Sequence, residues 1–280
     1  MPVAPLLPAE LLACPPLEQV WARLDLVMDP ELDEAVTDLG FVEAVSITPP
    51  LHDHAPQEVQ VSFRLPTYWC SPNFAFLMAE SIKREIEVLP WVSQAVVTLH
   101  DHMAAEEMNA AINAGRSFGS VFEDLHPGED LSALREKFDR KAFQRRQEVV
   151  IKALQAQGNT LESLENFSLG ALEVTRFEDP EDARQAGRYL SLLKAKCLAL
   201  HPADRGLPDY DGTPISAERF RSYMELLRSV RINMEFSGSL CRGLKANRYK
   251  QADLSGETPV LVDFVPADLP DGANSTRSFQ

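Results

Sequence analysis

The spacing of the apolar residues changes along the chain, and that change limits the fold more than any single residue does. Over residues 17–28, Leu17, Val20, Trp21, Leu24 and Val27 recur at helical spacing. Asp29-Pro30 then breaks the pattern. Residues 41–47 are β-like. Residues 58–63 alternate Val59, Val61 and Phe63 against Glu58, Gln60 and Ser62, as a half-buried strand does. Phe74, Met78, Ile82, Ile86 and Leu89 return to the helical period. Ser71 and Pro72 suit the N-cap and first residue of that helix. Residues 92–99 read as a third strand. The order helix, strand, strand, helix, strand predicts a small αββαβ domain of the α+β class.

From Ala104 onward the pattern is mostly helical. Residues 104–114 are rich in alanine and end at Gly115, which suits the position just past a helix. Residues 131–157 form a long helix of mixed charge, with Gly158 as its stop. Residues 182–200 and 216–244 are further helices. Gly238 and Gly243 in the second predict a kink or an end near Phe236. The turn-rich stretch 202–214 connects them. The expected organisation is an N-terminal segment (1–14), the αββαβ domain (15–115), a mostly α-helical domain (116–250) and an acidic tail (251–280). Its prolines and acidic residues predict that the tail is largely disordered, with a short strand allowed at 259–265.

Charge separates these regions and excludes partners. The chain carries -15 overall. Residues 1–105 hold 4 basic and 15 acidic side chains. Such a surface does not coat nucleic acid, which needs local positive charge. No apolar run is long enough for a membrane span. The first residues lack the basic and apolar regions of a secretory signal. Four cysteines in 280 residues do not make a disulfide framework. A cytoplasmic, reducing location is expected.

Cys70 draws attention first. It ends Pro66-Thr67-Tyr68-Trp69-Cys70, between a strand and a helix start. A thiol there feels the positive end of the helix dipole, which favours the thiolate, the form that binds metals or attacks electrophiles. A small apolar side chain in a loop is the plain alternative. Asp29-Pro30-Glu31 and Asp38-Leu39-Gly40, alone, read as turns.

Together, in this order and spacing, Asp29-Pro30-Glu31, Asp38-Leu39-Gly40 and Thr67-Tyr68-Trp69-Cys70 resemble the MIP18 family, also called DUF59, of iron–sulfur assembly domains. The resemblance covers about residues 15–115. It implies work in iron–sulfur cluster assembly or transfer, in some relatives beside metal-dependent oxygenases. It carries the family's functional positions onto Asp29, Thr67 and Cys70, and it implies association as a homodimer. The chain departs from the family in having Tyr68 and Ser71 where many members have prolines flanking the cysteine. It also has LHDHMAAEEMNAAINAG where many have a Pro-rich, Trp-containing stretch.

That replaced stretch offers ligands of its own. His100 and His102, two apart at a strand end, are expected on one face. Glu106 and Glu107 follow, and histidines with carboxylates suit iron, zinc or manganese. His52 and His54 form a second pair in the loop between the first two strands. Solvated, turn-forming residues are the plain alternative for both pairs. Cys241, among Gly238, Ser239 and Gly243, is a candidate second thiol or a packed helix end. Cys197 reads as core and Cys14 as incidental. The cluster Arg135, Lys137, Arg140, Lys141, Arg145 and Arg146 reads as a solvated helix face or a dock for an acidic partner. No phosphate loop, nucleophile elbow or zincin motif occurs.

These residues point to a non-enzymatic accessory or maturation factor. It would use Cys70 to hold iron or an iron–sulfur cluster transiently for a client metalloenzyme, such as a metal-dependent oxygenase. An interaction adaptor on the same fold is the second reading. The third is a thiol enzyme with Cys70 as nucleophile and His100 or His102 as base.

Overall fold

The structure is a computed structural model that describes residues 9–50, 52, 55–122, 131–248, 250–253 and 260–264. The chain divides into two compact units. Among the described residues, one takes in 9–29, 34–122 and those from 238 onward; the other takes in Pro30–Asp33 and Leu131–Ser237.

The first unit contains helices α1 (Ala9–Leu12) and α2 (Pro16–Leu24), strands β1 (Val42–Ile47) and β2 (Gln57–Arg64), helix α3 (Pro72–Glu87), strand β3 (Val92–His100) and helix α4 (Ala105–Asn113). The expected αββαβ order is present, extended by α1 and α4. The sheet runs β1-β2-β3, with β1 antiparallel and β3 parallel to β2. A parallel pair needs a crossover, and α3 supplies it. Val59, Val61 and Phe63 of β2 and Ala95, Val97 and Leu99 of β3 are buried. So are Ala75, Met78, Ile82 and Ile86 of α3. Strand alternation and the helical stripe thus meet in one core. Gly115 lies at φ 66° just past α4 and ends it in the left-handed conformation that favours glycine.

The outer edge of β3 is closed by side chains. Asn109 Oδ1 accepts from Leu99 N at 2.8 Å, while its Nδ2 donates to Leu99 O at 3.0 Å. Asn113 makes the same pair with Val97, at 2.9 Å each. One step further back, Glu87 accepts from Ala95 N and Lys83 donates to Ala95 O. Two asparagines four apart on one helix face therefore match two strand residues two apart. They satisfy the groups through which another strand would pair.

The second unit is helical: α5 (Ser132–Ala156), α6 (Leu161–Glu165), α7 (Leu169–Val174), α8 (Pro180–Ala195) and, as far as Ser237, α9 (Ala217–Arg248). Phe143, Val150, Ile151, Leu154, Tyr189 and Phe220 are among its core residues. Within that core lies a closed polar network. Gln147 Nε2 donates to Tyr189 Oη at 2.9 Å and to Pro208 O at 2.6 Å, and Tyr223 Oη donates to Gln147 Oε1 at 2.6 Å. Asp179 caps α8 by accepting from Glu181 N and Asp182 N. Gly158, at φ 92°, ends α5 as its sequence position predicts.

Several expectations require correction here. α9 runs as one helix through Gly238 and Gly243, so it does not end near Phe236. Two interior glycines cost about 1 kcal/mol each, which a long helix with other anchors absorbs. Arg242 pairs with Glu34 at 2.7 Å and Lys245 donates to Leu39 O at 3.0 Å. The basic cluster on α5 is not uniformly solvated, because Arg146 is buried in a bidentate pair with Asp33. Cys197 is exposed rather than core. It takes φ 55° directly after the α8 cap, with its N–H on Lys194 O and that of Leu198 on Leu193 O. A cysteine thus fills the left-handed position that glycine favours. Residues 250–253 and 260–264 form an antiparallel strand pair, β4 (Lys250–Asp253) and β5 (Val260–Phe264). Residues 265–280 lie outside the described residues, and with them most of the expected tail.

Candidate functional site

Cys70 sits where the chain leaves β2 for α3. Ser71 is the N-cap, as expected, but it caps through its backbone. Its carbonyl accepts from Phe74 N and Ala75 N, and its side chain makes no capping bond. Pro72 follows as the first helical residue. A turn closes behind the cysteine, with Cys70 N donating to Thr67 O at 3.4 Å. Within it Thr67 Oγ1 and Cys70 Sγ are 3.1 Å apart. Either atom can donate in the thiol state; once the sulfur is ionised only the hydroxyl can, giving a charge-assisted bond. The cysteine is partly exposed.

A second loop braces the first. β3 ends at His100, and Asp101 turns the chain with φ 52°. The strand's period of two therefore stops before His102, so His100 and His102 do not share a face. His100 is half-buried, opposite Arg64. His102 is buried, at 4% exposure, and its Nε2 lies 2.7 Å from the carbonyl of Cys70. Its Nδ1 accepts from Ala104 N at 3.2 Å. An accepting Nδ1 fixes the other nitrogen as N–H, so Nε2 donates to Cys70 O. Next to it, Met103 N donates to Tyr68 O at 2.9 Å.

The remaining candidates have surroundings of their own. Asp29 is buried at 8% exposure, in a turn where its N–H meets Glu34 O at 2.8 Å. Met28 and Ala35 pair across that turn. Glu106 and Glu107 are exposed in the first turn of α4. His52 is exposed, and His54 lies outside the described residues. Cys241 is partly exposed on α9. Among the described residues, no three His, Cys, Asp or Glu side chains are gathered to hold a metal ion. Both nitrogens of His102 are taken up by backbone groups, so the ring offers neither a ligand lone pair nor a base toward Cys70 in this arrangement.

The surface beside the thiol is apolar. Trp69 is 74% exposed, and Tyr68 and Met103 are also exposed. The rings of Tyr68 and Trp69 meet edge to face, with centroids 5.6 Å apart. Sequence reasoning passed over this trio, and also Asn109 and Asn113, which fix the end of β3 and hence the loop that carries His102.

The first unit is thus a small α+β domain with one thiol on a strand-to-helix loop, 3.1 Å from a threonine hydroxyl. Residues 17–98 match the family model described as iron–sulfur cluster assembly protein, so this segment is a domain of the MIP18-like family, as its motifs imply. The match spans under a third of the chain and contains Asp29, Thr67 and Cys70. It stops short of His100, His102, Glu106 and the helical unit. No curated protein and no solved structure matches the chain. Among the described residues, no helix is long and apolar enough to cross a membrane.

Proposed function

We propose that this protein is an accessory factor in iron–sulfur cluster assembly, which takes up iron or a cluster on Cys70 and passes it to a client metalloenzyme. The observation that carries the reading is the Thr67–Cys70 contact at 3.1 Å, inside the segment that matches the assembly family. One thiol cannot complete a cluster site of four cysteines. The cargo would take its other ligands from a second copy, a small thiol or the client, and incomplete ligation suits a carrier that must let go. A cytoplasmic setting, where thiols stay reduced, suits a working cysteine thiol at position 70. A metal-dependent oxygenase is the client class that the family resemblance favours, and the helical unit would select it.

The test is co-production with a metalloenzyme encoded beside this protein, followed by metal content and turnover of the purified client. Cys70→Ala should leave the client poorly loaded. A client fully loaded in the presence of Cys70→Ala would rule out delivery by the thiol.

The exposed Tyr68, Trp69 and Met103 favour the adaptor as the second reading. In that case Trp69→Ala abolishes client activation while Cys70→Ala does not.

A further inference from the structure

The assembly reading leaves a buried histidine unused. His102 lies outside the segment that matches the family, and its ring meets no solvent to speak of. A buried imidazole is retained where its two nitrogens have defined partners, since an unmet polar atom costs free energy. Here the partners belong to different segments. Ala104 N–H, on the ring's own loop, holds Nδ1 at 3.2 Å. The carbonyl of Cys70, thirty-two positions back in sequence, receives Nε2–H at 2.7 Å. The first bond fixes the tautomer and the second spends it on the thiol's own residue.

We propose that His102 is a positioning residue for the Cys70 loop, clamping its backbone so that the sulfur stays beside Thr67. The proposal rests on the reading of Cys70 as the working thiol. Three short contacts then form one unit: His102 to Cys70 O, Met103 N to Tyr68 O, and Thr67 Oγ1 to Cys70 Sγ. Asn109 and Asn113 anchor the other end of the unit by tying β3 to α4. The histidine thus lies on the loop that follows β3, facing the loop that follows β2.

The two bonds can be separated by substitution. Glutamine places an amide N–H near the position of Nε2, so His102→Gln keeps the reach to Cys70 O. Asparagine places its oxygen near the position of Nδ1, so His102→Asn keeps only the acceptor for Ala104 N. Alkylation of Cys70 by iodoacetamide at one fixed pH, followed by peptide mass spectrometry, reads how far the loop opens. His102→Ala and His102→Asn should alkylate roughly fivefold faster than the parent, the ratio carried by one neutral hydrogen bond. His102→Gln should return to within about twofold of the parent, since it restores that bond. Equal rates in all four proteins would overturn the proposal. So would rescue by asparagine and not by glutamine, which would make the ring a cap for Ala104 alone. If the alanine variant does not fold, the glutamine–asparagine comparison decides. The parent's uptake of ferrous iron and sulfide, measured alongside, separates the two claims. Absent uptake sinks the assembly reading, while the alkylation ratios judge the clamp by themselves.

Discussion

Asn109 and Leu99 exchange two hydrogen bonds, so a side-chain amide on α4 takes the place of a neighbouring strand. Asn113 repeats the arrangement at Val97. An open edge of this kind is a template for pairing with other chains. The double variant Asn109→Ala, Asn113→Ala strips four bonds from that edge. It should cost on the order of 2–4 kcal/mol in urea unfolding, and amide exchange at Leu99 and Val97 should accelerate well beyond that at Val61. Unchanged exchange at those two positions would show that the asparagines do not hold the edge.

Gln147 is the centre of the helical unit's polar core, with Tyr189, Tyr223 and the carbonyl of Pro208 as partners. Leucine has nearly the same size but satisfies none of them. Gln147→Leu should destabilise the protein by roughly 3 kcal/mol or more, because it strands several buried polar groups at once. The measurement is the shift of the urea midpoint. A loss within about 0.5 kcal/mol, the scale of an ordinary surface change, would mean that water enters and replaces the amide.

The same core sets an alkaline limit. Burial pushes Tyr189, Tyr210 and Tyr223 upward from the usual tyrosine range. Below the unfolded value near pH 10, both states hold the phenol proton and no pH dependence follows. Above it the unfolded chain ionises while the folded chain does not, so stability falls as pH rises. Phenolate absorbance from these three tyrosines should therefore appear together with loss of helical signal. Ionisation of these three near pH 10 with helicity intact would contradict this burial.

The order of the assembly domain was legible because β2 alternates and α3 repeats at helical spacing, each over enough residues to fix its type. Gly115, Gly158 and the Ser71-Pro72 start were legible for the same local reasons. The loop after β3 was not. A left-handed Asp101 ends the alternation without changing composition, so His102 reads as a strand residue until the backbone is seen. Asn109 and Asn113 carried no signal of their role, because helical spacing shows which face they share but not what that face meets. Gln147 and Glu148 are fully buried amid a charged run, where mean charge predicts a wet surface. Of the candidate site, Cys70 was singled out by its place before a helix start and Thr67 only through the family resemblance; the structure brings the two side chains to 3.1 Å.

The central claim is that Cys70 carries the cargo. The most direct measurement is iron and acid-labile sulfide in protein purified without oxygen, for the parent and for alanine variants of Cys14, Cys70, Cys197 and Cys241. Cys70→Ala should fold, at a cost on the order of 1 kcal/mol, because it removes one small side chain from a partly exposed loop. The account predicts that the parent and the other three variants hold iron and sulfide, and that Cys70→Ala holds neither. A folded Cys70→Ala protein with the parent's full load would contradict it.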